Sequence, residues 1–299
     1  MIEYSVKPLN ILHVENREIH LFDSAGSNID ETTVKAFGEE WNKFNAFSSE
    51  EIEKVGVEYF DIVTSKHLTE KSLVLDVGCG SGRWSKYLAD KVAHIEAIDP
   101  SDAVLAAAKL LRDTKNVRIS KASADSIPFE DNSFDFVFSL GVLHHIPDTK
   151  LAMQHCISKL KQNGYFLVYL YYNLDNRGII YNKIFRFSNV FRLVISSLPA
   201  HLKKIVCDLI AMFVYMPLLS VSKLLSLIGL KRLGQKIPLS YYSDKTFHII
   251  RNDALDRFGT PLEQRFSKTE IGDMMKECGL TDIIFSDNAP YWHAIGQKI

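Results

Sequence analysis

From Ser72 onward the chain alternates short β-branched apolar runs with helical stretches, and this rhythm constrains its fold more than any other feature. Leu73–Val77 is a continuous apolar run broken only by Asp76, as in a strand buried on both faces. Residues 82–90 read as a helix, 94–98 as a second strand, 103–111 as a helix rich in alanine and leucine, and 117–122 as a third strand. Residues 134–140 give a fourth strand, 150–160 a helix and 164–171 a strongly apolar fifth strand. Residues 173–268 interrupt the rhythm; a helix over 268–278 and strands over 282–286 and 292–298 restore it. The expected class is α/β: a Rossmann-like, mostly parallel sheet of seven strands, with helices on both faces and right-handed crossovers. Ligands bind such sheets beyond the carboxyl ends of the strands, near the switch in strand order. The ends of strands one, two and four are therefore where chemistry is sought.

The expected organisation is a lead-in and lid over 1–70, a core over 71–172, a helical cap and acceptor region inserted over 173–268, and the core's last helix and strands over 269–299. Within the lead-in, 11–14 and 18–22 suggest a short hairpin around Glu15-Asn16-Arg17. Residues 50–68 carry Ile52, Val55, Val57, Phe60, Ile62 and Val63 at roughly helical period.

At 299 residues, 46% hydrophobic and 24% charged, the composition is that of an ordinary globular protein. Its formal charge of −1 lacks the basic excess of a chain that neutralises phosphates, so no nucleic-acid partner is expected. Cys79, Cys156, Cys207 and Cys278 are scattered, without a CxxC pair, which argues against a zinc site or disulfide framework and fits a reducing compartment. The N-terminus shows no basic stretch leading into an apolar core, so a cytoplasmic location is expected. The cysteine spacing, with no histidine at metal-ligand spacing, leads us to expect no resident metal.

The first strand runs into Gly78-Cys79-Gly80-Ser81-Gly82. Glycines here let the backbone turn sharply and approach a ligand closely. A dinucleotide site has GxGxxG over a pyrophosphate; here the third glycine comes one residue early. Asp76 stands just before the loop, where a carboxylate repels pyrophosphate but suits a ligand with an ammonium and a sulfonium.

Asp76 through Gly82 resembles the first motif of the class I S-adenosylmethionine-dependent methyltransferases, in the small-molecule, type 11-like branch. The resemblance covers roughly residues 70–172 and, more loosely, 268–299. It implies S-adenosylmethionine as cofactor, held by Asp76, Gly78, Gly80 and Gly82. It further implies that Asp99, with Pro100 and Ser101, takes the ribose hydroxyls, and that Ala124 and Asp125 meet the adenine amino group. The fourth-strand segment with Ser139 and Leu140 would lie along the cofactor. Phe37 through Phe44 resembles a lead-in segment that folds over the cofactor in such enzymes, making Trp41 and Phe44 lid residues. Asn288-Ala289-Pro290-Tyr291 looks like a tetrapeptide that grips planar amino groups, but it lies between the last two strands and is read as a turn.

For the acceptor side, His144 and His145 follow strand four and are the leading candidates for a base, since histidine titrates near neutrality. Related enzymes also carry a histidine pair here that only shapes the site. Tyr171 and Tyr172 end strand five, with Asn173, Asp175, Asn176 and Arg177 following; Tyr171 is a catalytic candidate and Tyr172 a substrate contact. In the insertion, Tyr241, Tyr242, His248, Arg251, Arg257 and Arg265 form a polar stretch expected to line the acceptor site, with Arg251 or Arg257 pairing an anionic group. A surface ion-pair network explains the same residues.

Residues 209–222 are uncharged and mostly apolar, with Pro217 inside. The run is shorter than the ~20 residues of a spanning helix, and the proline should kink it. Three readings stand: a buried cap helix, a homo-oligomer interface, or a peripheral membrane or lipid contact through 205–230. The resemblance thus implies direct in-line methylation of a small molecule, a sugar or a lipid-linked precursor. A protein or RNA methyltransferase, or a non-catalytic cofactor-binding subunit, are the alternatives.

Overall fold

The structure is a computed structural model that describes residues 2–23, 26–43, 48–173 and 179–299. The chain forms two compact units, Met1–Asn176 with Leu262–Ile299, and Arg177–Pro261. The second unit is narrower than the interruption at 173–268. Tyr172 bridges to Phe266, and the Asn173 N–H donates to the Phe266 carbonyl at 3.0 Å, so both arms of the interruption belong to the first unit.

The first unit is a nine-stranded sheet: β1 (Asn10–Val14), β2 (Arg17–Leu21), β3 (Leu73–Val77), β4 (His94–Asp99), β5 (Val117–Lys121), β6 (Phe134–Leu140), β7 (Leu160–Tyr169), β8 (Leu280–Phe285) and β9 (Ala294–Lys298). Its order is β1-β2-β5-β4-β3-β6-β7-β9-β8, parallel from β2 to β7 and antiparallel at both edges. The direction of build reverses between β3 and β6, so the crevice for a ligand opens at their carboxyl ends. Among the described residues, six α-helices accompany the sheet: α1 (Glu31–Lys43), α2 (Ser49–Tyr59), α3 (Arg83–Leu88), α4 (Ala103–Leu110), α5 (Thr149–Ser158) and, late in the chain, α11 (Lys268–Glu277).

Alternation along β3, β6 and β7 sends Leu75, Val77, Val137, Phe166 and Val168 into one apolar layer and Val74, Phe136, Phe138, Leu167 and Tyr169 into the other. Burial on both faces is what the unbroken apolar runs demand.

Among the described residues the sheet has nine strands rather than the expected seven. The lead-in hairpin is not an appendage: β2 pairs in parallel with β5 through Ile19↔Ile119, and Ile19 is fully buried. The helix expected over 50–68 stops at Tyr59. Just beyond it, the Asp61 carboxylate accepts from Ser286 Oγ (2.7 Å), Asn288 Nδ2 (2.9 Å) and His293 Nε2 (2.6 Å), contacts that a continuing helix would forgo.

The second unit is helical, with α6 (Ile179–Ser196), α7 (Ala200–Ile210), α8 (Met216–Leu227), α9 (Lys231–Gly234) and α10 (Phe247–Gly259). Its small core is Ala211, Tyr215, Leu219, Ile250 and Ala254. Pro217 does not end the helix. A π turn over Ala211–Tyr215 joins α7 to α8, and Pro217 follows it as the second residue of α8, where the widened turn already departs from the i→i−4 pattern that the missing N–H would serve. The result is one helix, His201–Leu227, of 27 residues, longer than the apolar run suggests.

Candidate active site

Three turns meet at the carboxyl edge: Gly78–Gly82 after β3, Asp99–Ser101 after β4 and 141–145 after β6. Gly78 has φ +80°, and a Cβ there would stand 2.4 Å from Val142 Cγ1. Glycine is what lets the turn after β6 close on the turn after β3. Gly82, also at φ +80°, caps α3 and lies against Leu111 and Ala107. At Gly80 a Cβ would approach the Trp41 indole Nε1 at 3.4 Å, so Trp41 lies on the loop, with the Arg83 guanidinium 5.0 Å from its ring. Helix α1 also brings Gly38 against Ser101 and Asp102, and the Phe37 ring to 4.8 Å from that of His145. A cleft of about 600 Å³ beside α1 is lined by Lys35, Gly38, Pro100, Ser101 and Lys121.

Asp76 is 1% exposed. Its Oδ2 accepts from Ser85 Oγ at 2.7 Å, whereas Oδ1 has no hydrogen-bond partner, nor has the buried Ser81 Oγ nearby. Burial pushes the Asp76 carboxyl up to about 7. Asp99 accepts from the Gly80 N–H at 2.9 Å, the Ser101 N–H at 2.9 Å and Ser101 Oγ at 2.6 Å. Burial raises its pKa as well. Two buried carboxylates around a glycine turn, one with an orphaned oxygen, fit a ligand bearing a cation and a vicinal diol, and would repel a pyrophosphate.

The other expected cofactor residues are placed as follows. Asp125 Oδ2 accepts from the Asn28 N–H at 3.3 Å and Oδ1 lies 3.5 Å from His155, so the lead-in engages this carboxylate; Ala124 is buried beside it. Ser139 Oγ donates to the Val77 carbonyl at 2.8 Å and Leu140 packs in the core, so both hold β6 to the sheet.

His144 is fully buried, and neither ring nitrogen has a hydrogen-bond partner. Burial, with smaller contributions from His145 and Arg265, drives its pKa well below the usual value. Its ring stacks on Tyr171, centroids 4.0 Å apart at 29°. His145 Nδ1 lies 2.7 Å from the Leu262 carbonyl. A carbonyl only accepts, so Nδ1 carries a proton, and in the neutral ring Nε2 is then the accepting nitrogen.

The strand-like segment that returns from the second unit completes this wall. Gln264 N–H donates to the His144 carbonyl at 3.0 Å and its Nε2 to the Ile146 carbonyl at 2.7 Å. The Arg265 guanidinium stands 5.2 Å from the Tyr171 ring centre and pairs with Glu263 Oε1 at 2.7 Å; Glu263 Oε2 is buried and unpartnered. Glu263 joins this wall without any signal in the sequence, since nothing in its local pattern marks it.

Tyr172 goes elsewhere: its ring meets Tyr291 at 5.5 Å and Trp292 at 6.4 Å and packs with the layer opposite Tyr171. In the second unit, Arg251 is bound by both Asp208 oxygens at 2.8 and 2.7 Å, and Arg257 stands 3.3 Å from Asp253. Tyr242 and Tyr215 donate to the same Asp253, and Tyr241 packs edge-on against Tyr242. Both arginines expected to pair an anionic substrate thus already have carboxylates of the chain itself, and these residues form a structural network. Phe44, Asp175, Asn176 and Arg177 lie outside the described residues, as does the side chain of His248. Asn288 donates to Asp61, consistent with a turn in place of an amino-group grip.

Residues 75–168 match the type 11 family described as Methyltransferase domain. Phosphoethanolamine N-methyltransferase 2 of Caenorhabditis elegans is 37% identical over 33% of this chain and 23% of its own length. A ubiquinone biosynthesis O-methyltransferase of Nitrosomonas europaea is 30% identical over 48% of this chain and 63% of its own. The uncharacterized methyltransferase YcgJ of Bacillus subtilis is 31% identical over 33% and 40%; its solved structure overlays 77% of this chain on 74% of its own at 17% identity, with a TM-score of 0.46. The chain therefore spans from about a quarter to under two thirds of the length of these relatives. With the glycine turn, Asp76 and Asp99 in place, the chain carries a class I S-adenosylmethionine-dependent methyltransferase domain of the type 11 branch, with S-adenosylmethionine as that domain's cofactor.

Proposed function

We propose that this protein transfers a methyl group from S-adenosylmethionine to a small-molecule acceptor by direct in-line displacement at the carboxyl ends of β3, β4 and β6. The observation that carries the reading is the Asp76 Oδ1, buried beside a glycine turn and without a hydrogen-bond partner. A ligand ammonium there would satisfy it and restore its ionised form. Asp99 keeps lone pairs for two ribose hydroxyls, and Trp41 covers the turn. Bound S-adenosylmethionine supplies an electrophilic methyl on a sulfonium.

On the acceptor side, His145 Nε2 is the proton-accepting nitrogen, held in register by the Leu262 carbonyl. His144, kept neutral by burial, and Tyr171 give a polarisable wall beside the transferring methyl. Arg265, like Arg251 and Arg257, already pairs with a carboxylate of the chain, so the charged group left to meet the acceptor on this wall is the buried, unpartnered Glu263 Oε2. A small-molecule acceptor is supported by relatives named for phosphoethanolamine and ubiquinone biosynthesis.

The test is incubation of the purified chain with methyl-labelled S-adenosylmethionine and fractionated cell extract. The reading expects S-adenosylhomocysteine release with label in the low-molecular-weight fraction. Label in protein or RNA, or tight binding without turnover on any fraction, would contradict it.

A further inference from the structure

The two units carry opposite charge. Arg177–Pro261 holds 13 Lys and Arg against 4 Asp and no Glu, a formal +9, so the remainder of a chain with net charge −1 stands at −10. Such asymmetry within one chain marks a partner of opposite sign for the basic part. The same unit carries most of the exposed apolar bulk: 19 of the 26 exposed large hydrophobic residues found among the described residues lie in it.

The helix His201–Leu227 shows how the two features combine. One face, with Cys207, Ala211, Tyr215, Leu219 and Ser222, is buried in the unit. The other face carries Leu209, Met212, Phe213, Met216, Leu224 and Leu227 at helical spacing, all exposed, Phe213 by 68% and Leu227 by 84%. Only 28% of its most apolar window is buried. A helix apolar on every side belongs in a core or against lipid, and here the core takes one side only. Lys223 borders this face, and Lys231 and Arg232 follow at its end, all exposed.

We infer that the outer face of this helix docks the protein on an anionic lipid surface, lying in the plane of the interface with its side chains in the acyl boundary and the flanking cations at the headgroups. Length alone would let the helix span a bilayer. Its inner face argues against that: Tyr215 donates to Asp253 at 2.8 Å and Asp208 holds Arg251, which would place charges within the hydrocarbon. A second copy is a poorer occupant, because it would bring two units of +9 together. The inference stands apart from the methyl acceptor's identity.

The test uses the full chain and vesicle co-sedimentation. The chain should bind vesicles of phosphatidylcholine with phosphatidylglycerol, bind phosphatidylcholine alone more weakly, and lose the difference at high salt. Phe213→Glu with Leu224→Glu should weaken binding at least ~10-fold, with S-adenosylhomocysteine affinity and thermal melting as in the parent. Lys231→Glu with Arg232→Glu should remove only the preference for the anionic lipid. Should the double glutamate variant fold poorly, Leu227→Ser at the helix end supplies the same comparison. Absence of vesicle binding by the parent overturns the inference. So does a concentration-dependent dimer in sedimentation velocity that Phe213→Glu dissolves, which would assign the face to a second copy.

Discussion

The indole of Trp41 faces Gly80 across the glycine turn, at a distance where a Cβ on Gly80 would make ordinary van der Waals contact with its Nε1 at 3.4 Å. This placement sets α1 beside the glycine turn, and an aromatic lid of that size contributes about 1–2 kcal/mol to a ligand it covers. Trp41→Ala is therefore expected to weaken S-adenosylhomocysteine binding roughly 5- to 30-fold in calorimetric titration. An unchanged dissociation constant would remove α1 from the site.

Asp76 links cofactor binding to pH. Its folded pKa, raised by burial to about 7 from 3.8, means that the unliganded folded state binds more protons than the unfolded chain between those values. Stability should therefore fall as pH rises from 4 to 7, reaching a penalty on the order of 4 kcal/mol above 7. Asp76→Asn abolishes the penalty: the unliganded variant should gain melting temperature over the parent at pH 8 and little at pH 4, while cofactor affinity drops at least ~10-fold. Parallel melting curves across pH for the two proteins would refute this role for Asp76.

Gly78 and Val142 should be coupled energetically. Gly78→Ala places a Cβ 2.4 Å from Val142 Cγ1 and forces alanine to φ +80°. The two effects together should cost about 3 kcal/mol or more in urea unfolding. Val142→Ala in that background removes the contacts with Cγ1 and Cγ2 but leaves the Val142 Cβ at 2.9 Å and the backbone strain, so the double-mutant cycle should show about 1 kcal/mol of coupling. Strict additivity would mean the turn does not close as described.

A fully buried imidazole with two unpartnered nitrogens is a stability cost retained at a site of chemistry. His144→Phe keeps the stack on Tyr171 and removes the unsatisfied atoms. It should stabilise the unliganded protein by ~1 kcal/mol in chemical denaturation and lower methyl transfer at least ~10-fold. A stabilised variant with parental turnover would show that the ring only fills space.

The core was legible because its signals are local. Leu73–Val77 and Phe134–Leu140 are apolar runs bounded by turns, and the structure places strands on those residues. Asp76 and Asp99 sit at strand ends that the same pattern defines. What was not legible depends on distant partners. The hairpin's place in the sheet rests on Ile19 meeting Ile119, and the early end of α2 on Asp61 meeting Ser286 and His293. The helix through Pro217 needed a π turn that no residue pattern announces. Glu263 belongs to the site only because Gln264 laces its segment to the His144 backbone.

The most direct measurement is calorimetric titration of S-adenosylhomocysteine into the parent chain and into Asp99→Ala. Asp99 offers both carboxylate oxygens to the ligand's ribose diol, and loss of two charge-assisted hydrogen bonds is worth about 3 kcal/mol. The parent should bind one equivalent, and the variant roughly 100-fold more weakly or not at all. No binding by the parent, or equal binding by the two, would contradict the assignment of this edge as the cofactor site.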